Sequence, residues 1–169
     1  MLGVVYPIPP EAIDAARTRM VDAGAIRIGI ERRTVDAQSL RASYSDRPEL
    51  AARLEAILGH GEFADFGVSL HVFGADDGHE YLRFDCFADE PHYHYIHRVE
   101  PGVEPVNHWV PFDAVACGDM VDWALSRIRT RLPEMLRQAC GAHLVPRLDL
   151  PAITHALAEV ERQLQAEHA

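Results

Sequence analysis

The 169-residue sequence contains no lysine; all 16 of its basic residues are arginine. That absence removes two classes of chemistry. No Schiff base can form on a side-chain amine, which excludes pyridoxal-phosphate catalysis, and no P-loop lysine can reach a nucleotide phosphate. Cysteine is scarce: Cys86, Cys117 and Cys140 are widely spaced, odd in number and form no CxxC pair. This reads as free thiols in a reducing compartment, not as a disulfide frame or a zinc ribbon. No apolar run approaches the roughly 18 residues that would span a membrane. The opening MLGVVYPIPPEAI lacks a basic n-region and is broken by prolines, unlike a signal peptide. A cytoplasmic protein is expected. Positive charge is also in short supply, with 26 acidic against 16 basic residues and a net charge of -10. A field of that sign argues against nucleic acid and anionic lipid as partners. GxSxG, GxGxxG and internal repeats are absent, and HEYLR at His79 lacks the second histidine of a zincin.

What is present is an ordinary globular balance, 48% hydrophobic and 25% charged, at a length that suits one domain over 1–169. Pro9, Pro10 and Glu11 predict a helix over 10–22 that ends at Gly24. Residues 25–33 alternate Ile26, Ile28 and Ile30 with Arg27, Gly29 and Glu31, the pattern of a half-buried strand. Residues 34–45 read as a connection or irregular edge. A helix follows, with Asp46 as its N-cap, Pro48 in its first turn, Leu50, Leu54, Ile57 and Leu58 as its stripe and Gly59 as its stop.

Two strands, 66–75 and 79–87, flank the turn Asp76-Asp77-Gly78, the strongest local signal in the chain. With Gly78 left-handed, Val72 faces Leu82, Leu70 faces Phe84 and Val68 faces Cys86, which makes one apolar face. The other face then carries Ser69, His71 and Phe73 opposite Asp85, Arg83 and Tyr81. A one-residue slip would pair apolar with polar positions throughout.

Next comes DEPHYHYIHR, with three histidines and two tyrosines within six residues. If Ala88 to Pro91 is a four-residue turn, His92 faces Phe87, His94 faces Asp85 and Ile96 faces Arg83. His92 and His94 then share a face with His71 and Asp85. A turn one residue different would present Tyr93, Tyr95 and His97 instead. Residues 99–108 read as a loop, and NHWVPFD as a short edge strand. A long helix runs from Asp113 or Gly118 to Ala139, kinked or split at Pro133. Asp149 caps a last helix with Ile153, Leu157, Val160 and Leu164 inward. The sum is an α+β fold: a small, mostly antiparallel sheet of about four to five strands, helices on one face and long C-terminal helices.

Three readings of the histidine strand stand side by side. Histidines two apart on a strand point the same way, so His92, His94, His71 and Asp85 would offer three nitrogens and a carboxylate to one transition metal, zinc or iron. In a metal-free site, Asp85 would hold the ring of His94 while that histidine moves a proton, with Arg83 and Tyr95 binding substrate. In the structural reading, the tyrosines pack, the histidines bond Asp85 and Ser69, and Arg83 pairs with an acidic neighbour. HYHYIHRVE does not fit a cupin, because five residues separate His94 from Glu100, one more than that pattern allows.

The block from HEYLRFDCFADEPHYHYIHR through DMVDWALSRIRTRLPEML, with RIGIERRTVD before it, resembles a bacterial domain family of unknown function. The signature of that family is an RFDCF…PHYHY hairpin followed by a tryptophan-containing helix. The resemblance implies no activity. It does mark Arg83 to Asp85 and Pro91 to Tyr95 as the segment most worth mutating. Two function classes follow: a His/Asp site with metal-assisted hydrolytic or oxidative chemistry, or a non-enzymatic acidic interaction protein, inhibitor- or immunity-like, that docks through its sheet or loop 99–108. A site would need a concave pocket over the histidines, whereas docking would need a flat aromatic patch. An unpaired sheet edge leaves a homodimer open.

Overall fold

The computed structural model describes residues 3–59, 61–98, 100 and 103–166. Its centre is the alternating isoleucine strand. β3 (Ile26–Asp36) pairs antiparallel with β4 (Ala64–Gly74) along its whole length, and β4 pairs with β5 (Glu80–Phe87). β6 (His92–His97) and β7 (Val106–Pro111) continue the sheet. β1 (Val4–Tyr6) and β2 (Arg19–Ala23) form its edges, in the order β1-β7-β6-β5-β4-β3-β2. The sheet therefore has seven strands rather than four to five, all antiparallel.

The DDG hairpin pairs as its pattern requires: Val72 with Leu82, Leu70 with Phe84 and Val68 with Cys86, with Gly78 at φ 63°. Beyond Val72 a β-bulge shifts the register, so Phe73 faces Glu80 rather than Tyr81. Tyr81 turns into the apolar core, and Glu80 comes to the polar face beside His71 and Arg83. The next pairing is displaced by two residues from expectation, with His92 opposite Asp85 and His94 opposite Arg83. A shift of two keeps each side chain on its expected face, because side chains alternate with a period of two.

The apolar face carries Ile26, Ile28, Ile30, Leu70, Leu82 and Phe84. It is covered by α4 (Met120–Gln138) and α5 (Leu150–Ala166), whose Ile128, Leu132, Leu136, Leu157 and Val160 are buried. Full burial of such a side chain stabilises the fold by on the order of 2 kcal/mol. Of the two expected starts of the long helix, the one near Gly118 holds, with Asp119 capping α4, while Asp113 caps a separate short α3 (Ala114–Cys117). Pro133 does not split α4, which runs through it with apolar positions buried on either side. A 3₁₀ helix, Ala142–Arg147, leads to α5, which Asp149 caps through the Ala152 amide at 3.0 Å.

Three expectations are corrected. Residues 10–22 form no helix. Asp14 closes a single turn by accepting from Ala16, Arg17 and Thr18, and the chain then pairs as β2 with β3 across a tight turn at Gly24, where φ is 73°. The ladder satisfies the backbone groups of Met20 and Val21 better than an isolated short helix would. Residues 34–45 are not irregular: β3 runs to Asp36, which caps α1 (Ala37–Ser43) in a reciprocal box with Ser39. NHWVPFD is not an edge strand either, since β1 pairs outside β7. Of the loop expected over 99–108, residues 99, 101 and 102 lie outside the described residues.

The helices are also not confined to one face. α1 and α2 (Pro48–Leu58) cover part of the polar face, together with the segment Pro7–Glu11. They enclose a small second core of Ile8, Tyr44, Leu50 and Leu54, in which the Tyr44 hydroxyl donates to the Pro9 carbonyl at 2.8 Å. Arg33, Arg83 and Asp85 lie buried beneath this cover, while the Asp14 amide reaches the buried Glu31.

Candidate metal centre

Pairing of β5 with β6 sets Asp85 opposite His92, and the pleat puts His94 two residues on at the same face. The Nε2 atoms of both histidines approach one oxygen, Asp85 Oδ2, at 3.4 Å for His92 and 3.2 Å for His94. One ligating atom from each of the three residues lies within 4.8 Å of the other two. The other oxygen of Asp85 accepts from Ser69, which faces it on β4.

The far side of each ring settles its tautomer. His92 Nδ1 is 2.6 Å from the Glu90 carbonyl, which can only accept, so that nitrogen carries hydrogen. His94 Nδ1 is 2.7 Å from Asn107 Oδ1. The Asn107 amide nitrogen donates to the Ile8 carbonyl at 3.1 Å, which turns its oxygen towards the imidazole and makes His94 Nδ1 a donor as well. In the neutral rings both Nε2 lone pairs therefore point at a carboxylate oxygen. With both rings neutral, three acceptors converge there, and either a proton on one Nε2 or a bound cation links them.

The charges follow from this packing. Burial would raise the carboxyl of Asp85, but its bonds to His92 and His94 and the charge of Arg83 hold it well below the usual carboxylate range. Burial works to lower His92, and Asp85 outweighs it and raises the ring. For the more deeply buried His94, burial prevails and the ring is lowered.

Asp65 supports the site from outside it. It is buried on β4, and its two oxygens accept from the backbone amides of Ala88, Asp89 and Glu90 at 2.8–3.3 Å. It thereby clamps the turn whose Glu90 carbonyl orients His92.

The other expected site residues fall elsewhere. His71 is fully buried on the same face but in a separate cluster, with Nδ1 2.6 Å from Glu80 and Nε2 3.6 Å from Glu31. It does not join the Asp85 group. Arg83 reaches the cavity, yet its guanidinium is forked onto Glu80 at 2.8 and 2.6 Å, the ion pair of the structural reading. Tyr95 faces Leu82 and packs with Tyr93 towards the α4 side, away from the histidines. Sequence reasoning missed Asn107, placed where the expected loop met the expected edge strand, and Asp65. The amide residue within VNHWV, on the face opposite its neighbour His108, was the signal available for the first, and nothing local marked the second.

A cavity of about 600 Å³ opens from the cluster between the sheet, α1, α2 and the Pro7–Glu11 segment. His92, His94, Asp85 and Trp109 line its inner end. Among the described residues, no helix is long and apolar enough to cross a membrane.

A family model for a domain of unknown function, DUF7700, matches residues 20–164. The chain belongs to the DUF7700 family. The match begins in β2 and ends in α5, so it spans the whole apolar core and all three residues of the cluster. Comparison with curated proteins and with solved structures gives no match.

Proposed function

We propose that Asp85, His92 and His94 bind one divalent transition metal, zinc or iron, and present it to the cavity for metal-assisted hydrolytic or oxygen chemistry on a small molecule. The observation that carries this reading is the convergence of three acceptors. With both Nδ1 atoms committed as donors, the two neutral Nε2 lone pairs and Asp85 Oδ2 form a ligand set that a bound cation would satisfy. Two histidines and one carboxylate leave at least one coordination position open, which suits zinc with a bound water or iron with several free sites. A metal there would supply Lewis acidity and an activated water at neutral pH. The concave cavity over the histidines supports a small-molecule site rather than a flat docking patch.

A metal-free reading has one observation in its favour: two imidazoles facing one carboxylate can also share a proton, with Asp85 steadying the ring that transfers it. Elemental analysis separates the two. Untagged protein purified without chelator should carry near-stoichiometric zinc or iron, and the His92→Ala/His94→Ala variant should carry none. Metal-free wild type that also fails to take up added zinc or iron would overturn the metal reading and leave the proton-transfer and structural ones.

A further inference from the structure

We propose that the cavity takes an uncharged, largely apolar ligand class, best represented by aromatic molecules, that reaches the Asp85 cluster with one polar end. Contact of that end with a metal rests on the reading above; occupancy of the cavity does not. Three observations carry the assignment.

The first is size and lining. About 600 Å³ lies within the range of roughly 300–1,000 Å³ typical of small-molecule sites, and Val35, Leu40, Ile57 and Leu58 give it apolar walls. The second is an aromatic wall that leads to the cluster. Tyr6 stacks on Trp109 with centroids 6.4 Å apart, Trp109 lies 5.3 Å from the His92 ring, and Phe87 meets the same ring edge-on at 5.8 Å. A lining rich in rings, which can pair edge-to-face or offset, favours an aromatic or apolar partner.

The third is charge. Among the described residues, two arginines line the cavity, and each is paired with a carboxylate. Arg83 is forked onto Glu80, and Arg33 is paired with Glu11, whose other oxygen accepts from Ser43. The exposed lining residues include Glu62, Asp89 and Glu90, all acidic, beside the exposed ring of Phe63. In the metal-free protein, a carboxylate or phosphate ligand would meet repulsion at the mouth and, among the described residues, no unpaired arginine inside.

The test uses chelator-treated full-length protein and two dyes of matched shape, neutral N-phenyl-1-naphthylamine and anionic 1-anilinonaphthalene-8-sulfonate, read by fluorescence titration. The neutral dye should bind at least about tenfold more tightly than the sulfonate. Val35→Trp and Ile57→Trp, which fill the cavity from two partly exposed positions, should each weaken it by about tenfold or more with an unchanged circular dichroism spectrum. Glu11→Gln, which releases Arg33, should strengthen the sulfonate. Equal or tighter binding of the sulfonate to wild type, retention of the neutral dye by both filled variants, or no binding of either dye would overturn the proposal. Because the protein is metal-free, the outcome is independent of the elemental analysis: dye binding without metal uptake would sink the metal reading alone, and metal uptake without dye binding would sink this one alone.

Discussion

Asn107 fixes the orientation of His94, accepting from its Nδ1 at 2.7 Å while donating to the Ile8 carbonyl at 3.1 Å. One side chain thus joins the histidine to the segment that closes the cavity. Partners of this kind commonly tune metal affinity by about 10–100-fold. Asn107→Ala is expected to weaken zinc binding by a factor in that range, measured by competition with a chromophoric chelator. Wild-type affinity in a folded Asn107→Ala protein would show that the ring needs no such support.

Asp65 acts on the other histidine through the backbone. Its carboxylate collects the amides of Ala88, Asp89 and Glu90, and the Glu90 carbonyl takes the His92 Nδ1 hydrogen. Asp65→Ala would remove the protein acceptor of the Asp89 and Glu90 amides, at a cost of about 1 kcal/mol. Denaturant unfolding should show that loss, and amide exchange should rise at 88–90 before it rises in the strands. Protection there equal to wild type would contradict the clamp.

How much of this was legible beforehand depends on the range of the interaction. The Val72–Leu82 register could be read because a DDG turn and alternating apolar residues lie within one hairpin. His92 and His94 could be placed on the face of Asp85 even though the turn length was misjudged, because an error of two residues preserves the face. Three features were hidden because distant pairing decides them. Met20 and Val21 read as helix until β3 offers them a ladder. The bulge after Val72 exchanges Tyr81 for Glu80 and so gives Arg83 its partner. The box at Asp36 uses Ser39 where a glutamate would have signalled it.

The Glu80–Arg83 pair should make the fold acid-sensitive. Burial would raise Glu80, but the charge of Arg83 beside it, with help from His71, lowers its carboxyl to about 2. A carboxyl depressed in the folded state contributes its full stability above its unfolded value near 4.5 and loses it as pH falls towards about 2. Thermal or urea midpoints of wild type should drop across that interval. Glu80→Gln, which leaves Arg83 buried without its counter-charge, should lower stability at neutral pH by roughly 3–5 kcal/mol and flatten the acid limb. An acid limb of unchanged steepness in that variant would assign it to other carboxylates.

Metal should stabilise the fold through Asp85. A ligand that binds only the native state at 100 times its Kd adds about 2.7 kcal/mol. Saturating zinc is therefore expected to raise the melting temperature of wild type and to leave Asp85→Asn unmoved, in differential scanning calorimetry with and without chelator. An equal rise in both proteins would point to a zinc site elsewhere.

Tyr95 provides the control for the choice of face. It lies between His94 and Ile96 in β6, and alternation carries its ring to the α4 side, where it meets Tyr93. Burial pushes its phenol up to about 12, so it stays protonated at neutral pH and has no charge to offer. Tyr95→Phe should therefore leave metal content and neutral-dye affinity at wild-type values, with a stability change of about 1 kcal/mol or less. Trp109→Ala, on the cavity face at 5.3 Å from His92, should lose dye affinity while keeping metal. Two substitutions on neighbouring strands would then separate cleanly by face. Loss of metal in Tyr95→Phe would mean that β6 presents its tyrosines, not His92 and His94, to the site.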